Sequence, residues 1–177
     1  TVRIIRSFQD LHPDIKHSVY GDSELRDLIR EGFGLETLAA YDNFVPFAYK
    51  ADRARYCLLH EFGGVYFDLS MFFLEPLPID ANKPTLFRDF FSGGTYECCN
   101  GLMYVPKGHK LLEIVIKSCV ENARNEFYGT NPLCPTGPVQ FGRAVALACE
   151  RDEINAGEGV MVAAGLPHRS FQMQHPQ

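Results

Sequence analysis

The chain has 177 residues, enough for one domain with a sizeable core, and 46 % of them are apolar, as in soluble globular proteins. Its 17 Lys and Arg against 22 Asp and Glu give a net charge of −5, which argues against a surface built for nucleic acid or an anionic membrane. No apolar run approaches the roughly 20 residues of a membrane span, and Thr1-Val2-Arg3 lacks the apolar core of a signal peptide. The chain does not begin with Met and opens directly into a helical pattern. It is therefore expected to be one domain over residues 1–177, truncated at both ends, with any signal or anchor outside it.

Val2, Ile5, Phe8 and Leu11 recur every three residues and predict an amphipathic opening helix that Pro13 ends. Residues 15–20 suit a short strand, and Gly21 turns the chain. Asp22 or Ser23 caps a second helix ending at Gly32, and residues 35–41 predict another short one. Pro46 opens the next helix, in which Ala51, Ala54, Leu58 and Phe62 form one apolar stripe. Gly63-Gly64 stops it. The run Val65-Tyr66-Phe67-Asp68-Leu69 then reads as a short buried strand with an acidic end, and Pro76 and Pro78 close the unit. Residues 85–87 and 102–105 are further strand candidates. Helices are expected from Gly108 to about Ala123 and from about Gly137 to Cys149, while the Gly- and Ala-rich tail after Arg151 gives no clear pattern. Helices alternating with short buried strands predict an α/β sandwich.

The cysteines Cys57, Cys98, Cys99, Cys119, Cys134 and Cys149 form no CxxC pair, and no His lies at zinc-site spacing. Three of them sit in apolar helical patterns, so reduced structural thiols in a reducing compartment are expected.

The most informative stretch is a helix, a Gly-Gly turn and a strand ending in Asp. Asp52 and Arg55 are three apart and share a helix face. The turn brings the strand back against that helix, so Asp68 emerges at the strand's carboxyl end, where open α/β sheets bind ligands. Two acids and a guanidinium in one crevice suit a sugar diphosphate: carboxylates accept from sugar hydroxyls, and Arg donates two N–H groups to a phosphate. The same spacing also serves a purely structural Asp–Arg pair, and spacing alone does not separate the two. Tyr66 and Phe67 alternate on the strand and are read as core rather than as stacking platforms. His168-Arg169 near the end could face a diphosphate, with a solvated loop as the plainer reading. Gly32-Phe33-Gly34 is no phosphate turn and Gly108-His109-Lys110 no P-loop; GxSxG and HExxH motifs do not occur.

Ala51-Asp52-Arg53-Ala54-Arg55-Tyr56 followed by Gly63-Gly64-Val65-Tyr66-Phe67-Asp68-Leu69-Ser70 resembles the DXD-containing glycosyltransferases of the family-32 type. Asp10-Leu11-His12-Pro13-Asp14 with Tyr20-Gly21-Asp22, then Asn100-Gly101-Leu102-Met103 and Thr136-Gly137-Pro138, extend the resemblance over roughly residues 1 to 147. It implies a GT-A-type nucleotide-binding sandwich with a central mixed sheet flanked by helices and lacking its first strand, which would leave a sheet edge exposed. It implies transfer of a sugar from a UDP- or GDP-sugar to a glycan or lipid acceptor with retention of configuration, as in polysaccharide biosynthesis.

Carried over by position, Asp68 and Asn100 would be catalytic. Asp52, Arg55, Gly64, Tyr66, Asp68, Thr136 and Gly137 would bind the nucleotide sugar, and Asp68 and Ser70 would hold Mn²⁺ or Mg²⁺. The resemblance also implies a cytoplasmic enzyme peripheral to the membrane, or one of the Golgi lumen if an anchor lies outside this chain. Oligomeric state, sugar and linkage are not legible. One departure is pointed: Ser70 stands where the second acid of DXD belongs, and a hydroxyl is a poorer ligand for these cations than a carboxylate. Either metal binding is weak, or Glu75 or a more distant acid substitutes, or activity is lost. A second reading thus stays open, a degenerate GT-A module that binds sugar nucleotide or glycan without transfer.

Overall fold

A computed structural model describes residues 2–89, 97–151 and the backbone of 171–173. Five helices and five short strands make up the described chain, in the order α1 (Val2–Leu11), α2 (Asp22–Asn43), α3 (Phe47–Phe62), β1 (Gly64–Phe67), β2 (Met71–Phe73), β3 (Thr85–Arg88), β4 (Cys98–Val105), α4 (Lys110–Arg124), α5 (Pro138–Glu150) and β5 (Phe171–Met173). The two helices expected over residues 22–32 and 35–41 are one element bent at Gly34, whose φ of 82° interrupts the helical path. Residues 16–20 form no strand, and Val19 there is exposed. The short strands β2 and β5 were not foreseen.

β1, β4 and β3 form a sheet in that order, and β2 pairs with β5. Every described pair is antiparallel, where the resemblance implied a mixed sheet. The β3–β4 link is residues 89–97, shorter than the dozen or so residues that a parallel crossover needs. Among the described residues β1 is an edge strand, with β4 as its one neighbour.

Alternation along the strands divides the interior. Tyr66, Met103 and Val105 face a core shared with Ile29, Tyr56, Leu112, Val115 and Phe141 from α2 to α5. Val65, Phe67 and Leu102 face the opposite side, where Phe8 of α1 packs with Met71, Phe73 and Leu77. Sandwiched between two apolar clusters, the sheet is the mixed α/β layering that the pattern predicts. All six cysteines are free thiols. No described helix is long and apolar enough to cross a membrane.

The turn from α3 into β1 positions the site. Gly63 and Gly64 have φ of 67° and 105°, a left-handed path that side chains resist, and a Cβ on Gly63 would lie 2.6 Å from the Lys107 amide nitrogen. The chain therefore reverses within two residues, and β1 runs back along α3.

Candidate functional site

Asp52, Arg55 and Tyr56 lie at i, i+3 and i+4 of α3, one face of the helix. β1 returns along that face and delivers Tyr66 and then Asp68. From β4, paired with β1, comes Asn100, and the loop before α5 adds Thr136.

Arg55 is the hub. Its Nη2 lies 3.2 Å from Asp52 Oδ1 and its Nη1 3.5 Å from Asp68 Oδ1. Nη1 donates to the Asn100 carbonyl at 2.7 Å and Nε to the Ala51 carbonyl at 3.3 Å. The guanidinium also lies 4.5 Å from the centroid of the Tyr66 ring, a cation–π contact. Burial works against this charge, but Tyr66, Asp52 and Asp68 outweigh it, and the pKa of Arg55 is raised.

Behind the hub, Asp52 is fully engaged. Its Oδ1 accepts from Asn100 Nδ2 at 2.9 Å and its Oδ2 from the Thr136 hydroxyl at 2.8 Å. The Tyr56 hydroxyl accepts from Asn100 Nδ2 at 2.9 Å and donates to the Thr136 carbonyl at 2.8 Å. Burial pushes the Asp52 pKa up; Arg55 and the two hydrogen bonds offset only part of this, and the Asp68 charge adds to the rise. In front, Asp68 Oδ1 accepts from the Tyr66 hydroxyl at 2.7 Å. Side-chain exposure divides the group: 40 % for Asp68 against 13 % for Asp52 and 7 % for Arg55. One acid faces solvent, held by a guanidinium and a phenol, and a buried acid braces them.

The structure thus brings together Asp52, Arg55, Tyr66, Asp68, Asn100 and Thr136. Gly137 caps α5 beside them, where a Cβ would stand 3.5 Å from Asp52 Oδ2. Gly64 does not join: it pairs with Val105 at the far end of β1, about 13 Å of extended strand from Asp68. Asn100 is buried with its amide turned inward onto Asp52 and Tyr56, which suits bracing rather than the direct chemistry expected of it. Tyr66 packs partly buried against the core and also carries Arg55 on its ring and Asp68 on its hydroxyl. Phe67 belongs to the second core. Tyr56, at i+4 from Asp52 in the sequence, joins the group through its hydroxyl. His168 and Arg169 lie outside the described residues.

Ser70 sits in the turn after β1, closed by the Met71 amide donating to the Asp68 carbonyl at 3.0 Å. Among the described residues no group of three or more His, Cys, Asp or Glu is placed to hold a metal ion. Asp68 and the Ser70 hydroxyl are too few to make a divalent-cation site by themselves, and Glu75 lies exposed two residues beyond β2.

Residues 1–87 match the family model described as the glycosyltransferase sugar-binding region containing the DXD motif. Over these residues the chain is similar to the sugar-binding region of glycosyltransferases that contain a DXD motif. This region contains Asp52, Arg55, Tyr66 and Asp68, whereas Asn100 and Thr136 lie beyond it. Over 135 residues the chain is 29 % identical to inositol phosphoceramide mannosyltransferase 3 of Schizosaccharomyces pombe, covering 76 % of this chain and 37 % of that protein. It is 36 % identical over 56 residues to the uncharacterized glycosyltransferase L373 of Acanthamoeba polyphaga mimivirus, covering 32 % of this chain and 22 % of that one. The chain thus spans about a third or less of the length of these relatives. Among solved structures, the PaToxG glycosyltransferase aligns with a TM-score of 0.49 at 18 % identity, over 69 % of this chain and 45 % of that one. Glycosyltransferases with a DXD motif generally use a divalent metal, and it is in the DXD-type region that this chain has Ser70.

Proposed function

We propose that the cluster is the donor-binding end of a glycosyltransferase that moves a sugar from a UDP- or GDP-sugar to a glycan or lipid acceptor, with retention of configuration. The observation that carries the reading is Asp68: an exposed acid at a strand end, fixed by Arg55 and Tyr66, inside a DXD-type region. Asp68 accepts hydrogen bonds from the hydroxyls of the donor sugar. Arg55 and Tyr66 hold its orientation, and Asp52, Asn100, Tyr56 and Thr136 hold Arg55. The fixed geometry is what a transferase needs, because groups oriented before the donor arrives lose little freedom when it binds. Asp68 and the Ser70 hydroxyl would supply only part of the ligands of Mn²⁺ or Mg²⁺, and a cation held there with the donor's phosphate oxygens would offset the charge of the diphosphate leaving group.

The mannosyltransferase relative makes GDP-mannose and a phosphoinositol-bearing sphingolipid the first pair to try. The test measures sugar-nucleotide hydrolysis and transfer by the full-length protein with GDP-mannose, UDP-glucose, UDP-galactose, UDP-GlcNAc and UDP-GalNAc. Turnover of one donor, lost in Asp68→Asn, supports the reading. Nucleotide binding without turnover of any donor supports the second reading, a module that binds without transfer. Ser70 favours that second reading, because it removes one carboxylate from the motif.

A further inference from the structure

Gly101 lies across the β1–β4 ladder from Asp68, one step beyond the Phe67–Leu102 pair, and its carbonyl accepts from the Asp68 amide at 2.8 Å. Directly opposed residues of an antiparallel pair put their side chains on the same face. A Cβ on Gly101 would stand 2.6 Å from Asp68 Oδ2, 3.3 Å from Asp68 Cγ and 3.5 Å from Met71 Cε. The Asp68 carboxylate therefore occupies the volume that any side chain at this position requires. Gly101 is not among the residues with positive φ, so glycine serves here for room and not for backbone conformation. The other carboxylate oxygen accepts from the Tyr66 hydroxyl at 2.7 Å and lies 3.5 Å from Arg55 Nη1.

We propose that Gly101 is a positioning residue for the Asp68 carboxylate: its missing side chain lets Asp68 lie back over β4 against Tyr66 and Arg55. The consequence for donor binding rests on the glycosyltransferase reading above; the steric coupling of residues 101 and 68 does not. An alanine at 101 must be accommodated by the ladder or by Asp68. The ladder is held by backbone hydrogen bonds, whereas the Asp68 side chain is 40 % exposed and turns about two torsions. Asp68 yields first, leaving Tyr66 and Arg55, and the fold persists.

The experiment compares the full chain with Gly101→Ala, Asp68→Ala and the double variant. Calorimetry reads Tm, and titration reads binding of UDP and GDP at constant Mn²⁺. Gly101→Ala is expected to lower Tm by about 2–6 °C with Asp68 present, and by less than half as much when residue 68 is alanine. It is expected to weaken nucleotide binding about tenfold, with the double variant binding no worse than Asp68→Ala. Equal Tm losses in both backgrounds would overturn the steric coupling. Full nucleotide affinity in Gly101→Ala beside a loss in Asp68→Ala would overturn the positioning role. Should Gly101→Ala fail to fold, folding of the double variant supports the coupling and failure of both overturns it. If Asp68→Ala leaves binding intact, or the native chain binds neither nucleotide, the donor reading fails and the Tm cycle alone decides the coupling.

Discussion

Arg53 and Arg55 stand two residues apart on α3, both buried, and face opposite sides of it. Arg53 turns toward α2, where its Nη2 donates to the Thr37 carbonyl at 2.9 Å and its guanidinium lies 5.7 Å from the centroid of the Phe44 ring. It makes no ion pair among the described residues, its Nη1 has no hydrogen-bond partner, and burial lowers its pKa. Arg55 turns toward the sheet, meets two carboxylates, and has its pKa raised despite burial. A buried guanidinium therefore marks no site by itself. The difference lies in what surrounds each: a carbonyl and an aromatic ring from the α2 side for Arg53, and for Arg55 one acid at the end of a strand together with Asp52 from its own helix.

The largest expected effect is on activity. Asp68→Asn in the full-length protein should lower donor turnover by about 10²–10³, because the donor-facing acid is lost. With 40 % of its side chain exposed, the change should leave Tm within about 3 °C of the native value. Turnover assays and calorimetry on one preparation check both. Loss of folding with no specific loss of turnover would make Asp68 a structural acid like Asp52.

The two arginines themselves give the next effect. Arg55→Met leaves Asp52 buried with its charge unpaired, and removing one partner of such a pair costs about 3–5 kcal/mol. Arg53→Met removes a charge with no carboxylate partner and loses one hydrogen bond, so it should cost no more than about 1–2 kcal/mol. Urea denaturation measures both. Equal costs would mean that the acids around Arg55 do not distinguish it from Arg53, and the contrast would fall.

This contrast shows what the sequence makes legible. Spacing placed Asp52 and Arg55 on one face of α3, and the Gly-Gly turn placed Asp68 beside them; both are local properties of a short stretch. The same pattern could not tell which acid would face solvent, because that depends on Asn100 and Thr136, which lie 48 and 84 residues from Asp52. Gly64 shows what the sequence leaves open about distance. It belongs to the motif by sequence, but a four-residue strand carries it away from the cluster. β2 was missed since three apolar residues carry too little pattern to separate a strand from a loop. The expected strand over residues 15–20 had β-forming residues but finds no neighbour to pair with among the described residues.

A smaller effect tests the brace. Tyr56 is fully buried, stacked on Phe141 at 5.5 Å, and its hydroxyl joins Asn100 to Thr136. Tyr56→Phe keeps the ring and removes the bridge, leaving a buried carbonyl and one amide hydrogen short of a partner. The expected cost is about 1–3 kcal/mol by denaturation, with weaker donor binding. A stable variant with unchanged binding would show that Asp52 needs no support from this side.

The smallest effect is a pH dependence carried by Asp52. Its folded pKa lies above the ordinary 3.8, chiefly through burial, so the folded protein takes up a proton here before the unfolded chain does. The stability this group contributes is fully present below 3.8 and is lost as pH rises through the raised folded value. Acidification from neutral therefore recovers stability through Asp52. Glu113 behaves oppositely: a hydrogen bond from Lys110 lowers its pKa below 4.5, so its contribution is present above 4.5 and is lost as pH falls through the lowered value. Global Tm mixes such groups, and the comparison must isolate one. The Tm of the native protein minus that of Asp52→Asn, followed from pH 7 downward, should rise toward the acidic end by no more than about 3 °C. If that difference instead falls on acidification, Arg55 holds Asp52 as an anion more strongly than burial opposes it. The brace would then be an ion pair that stabilises the fold at neutral pH, and the division between a buried organising acid and an exposed donor-facing one would have to be drawn by exposure alone.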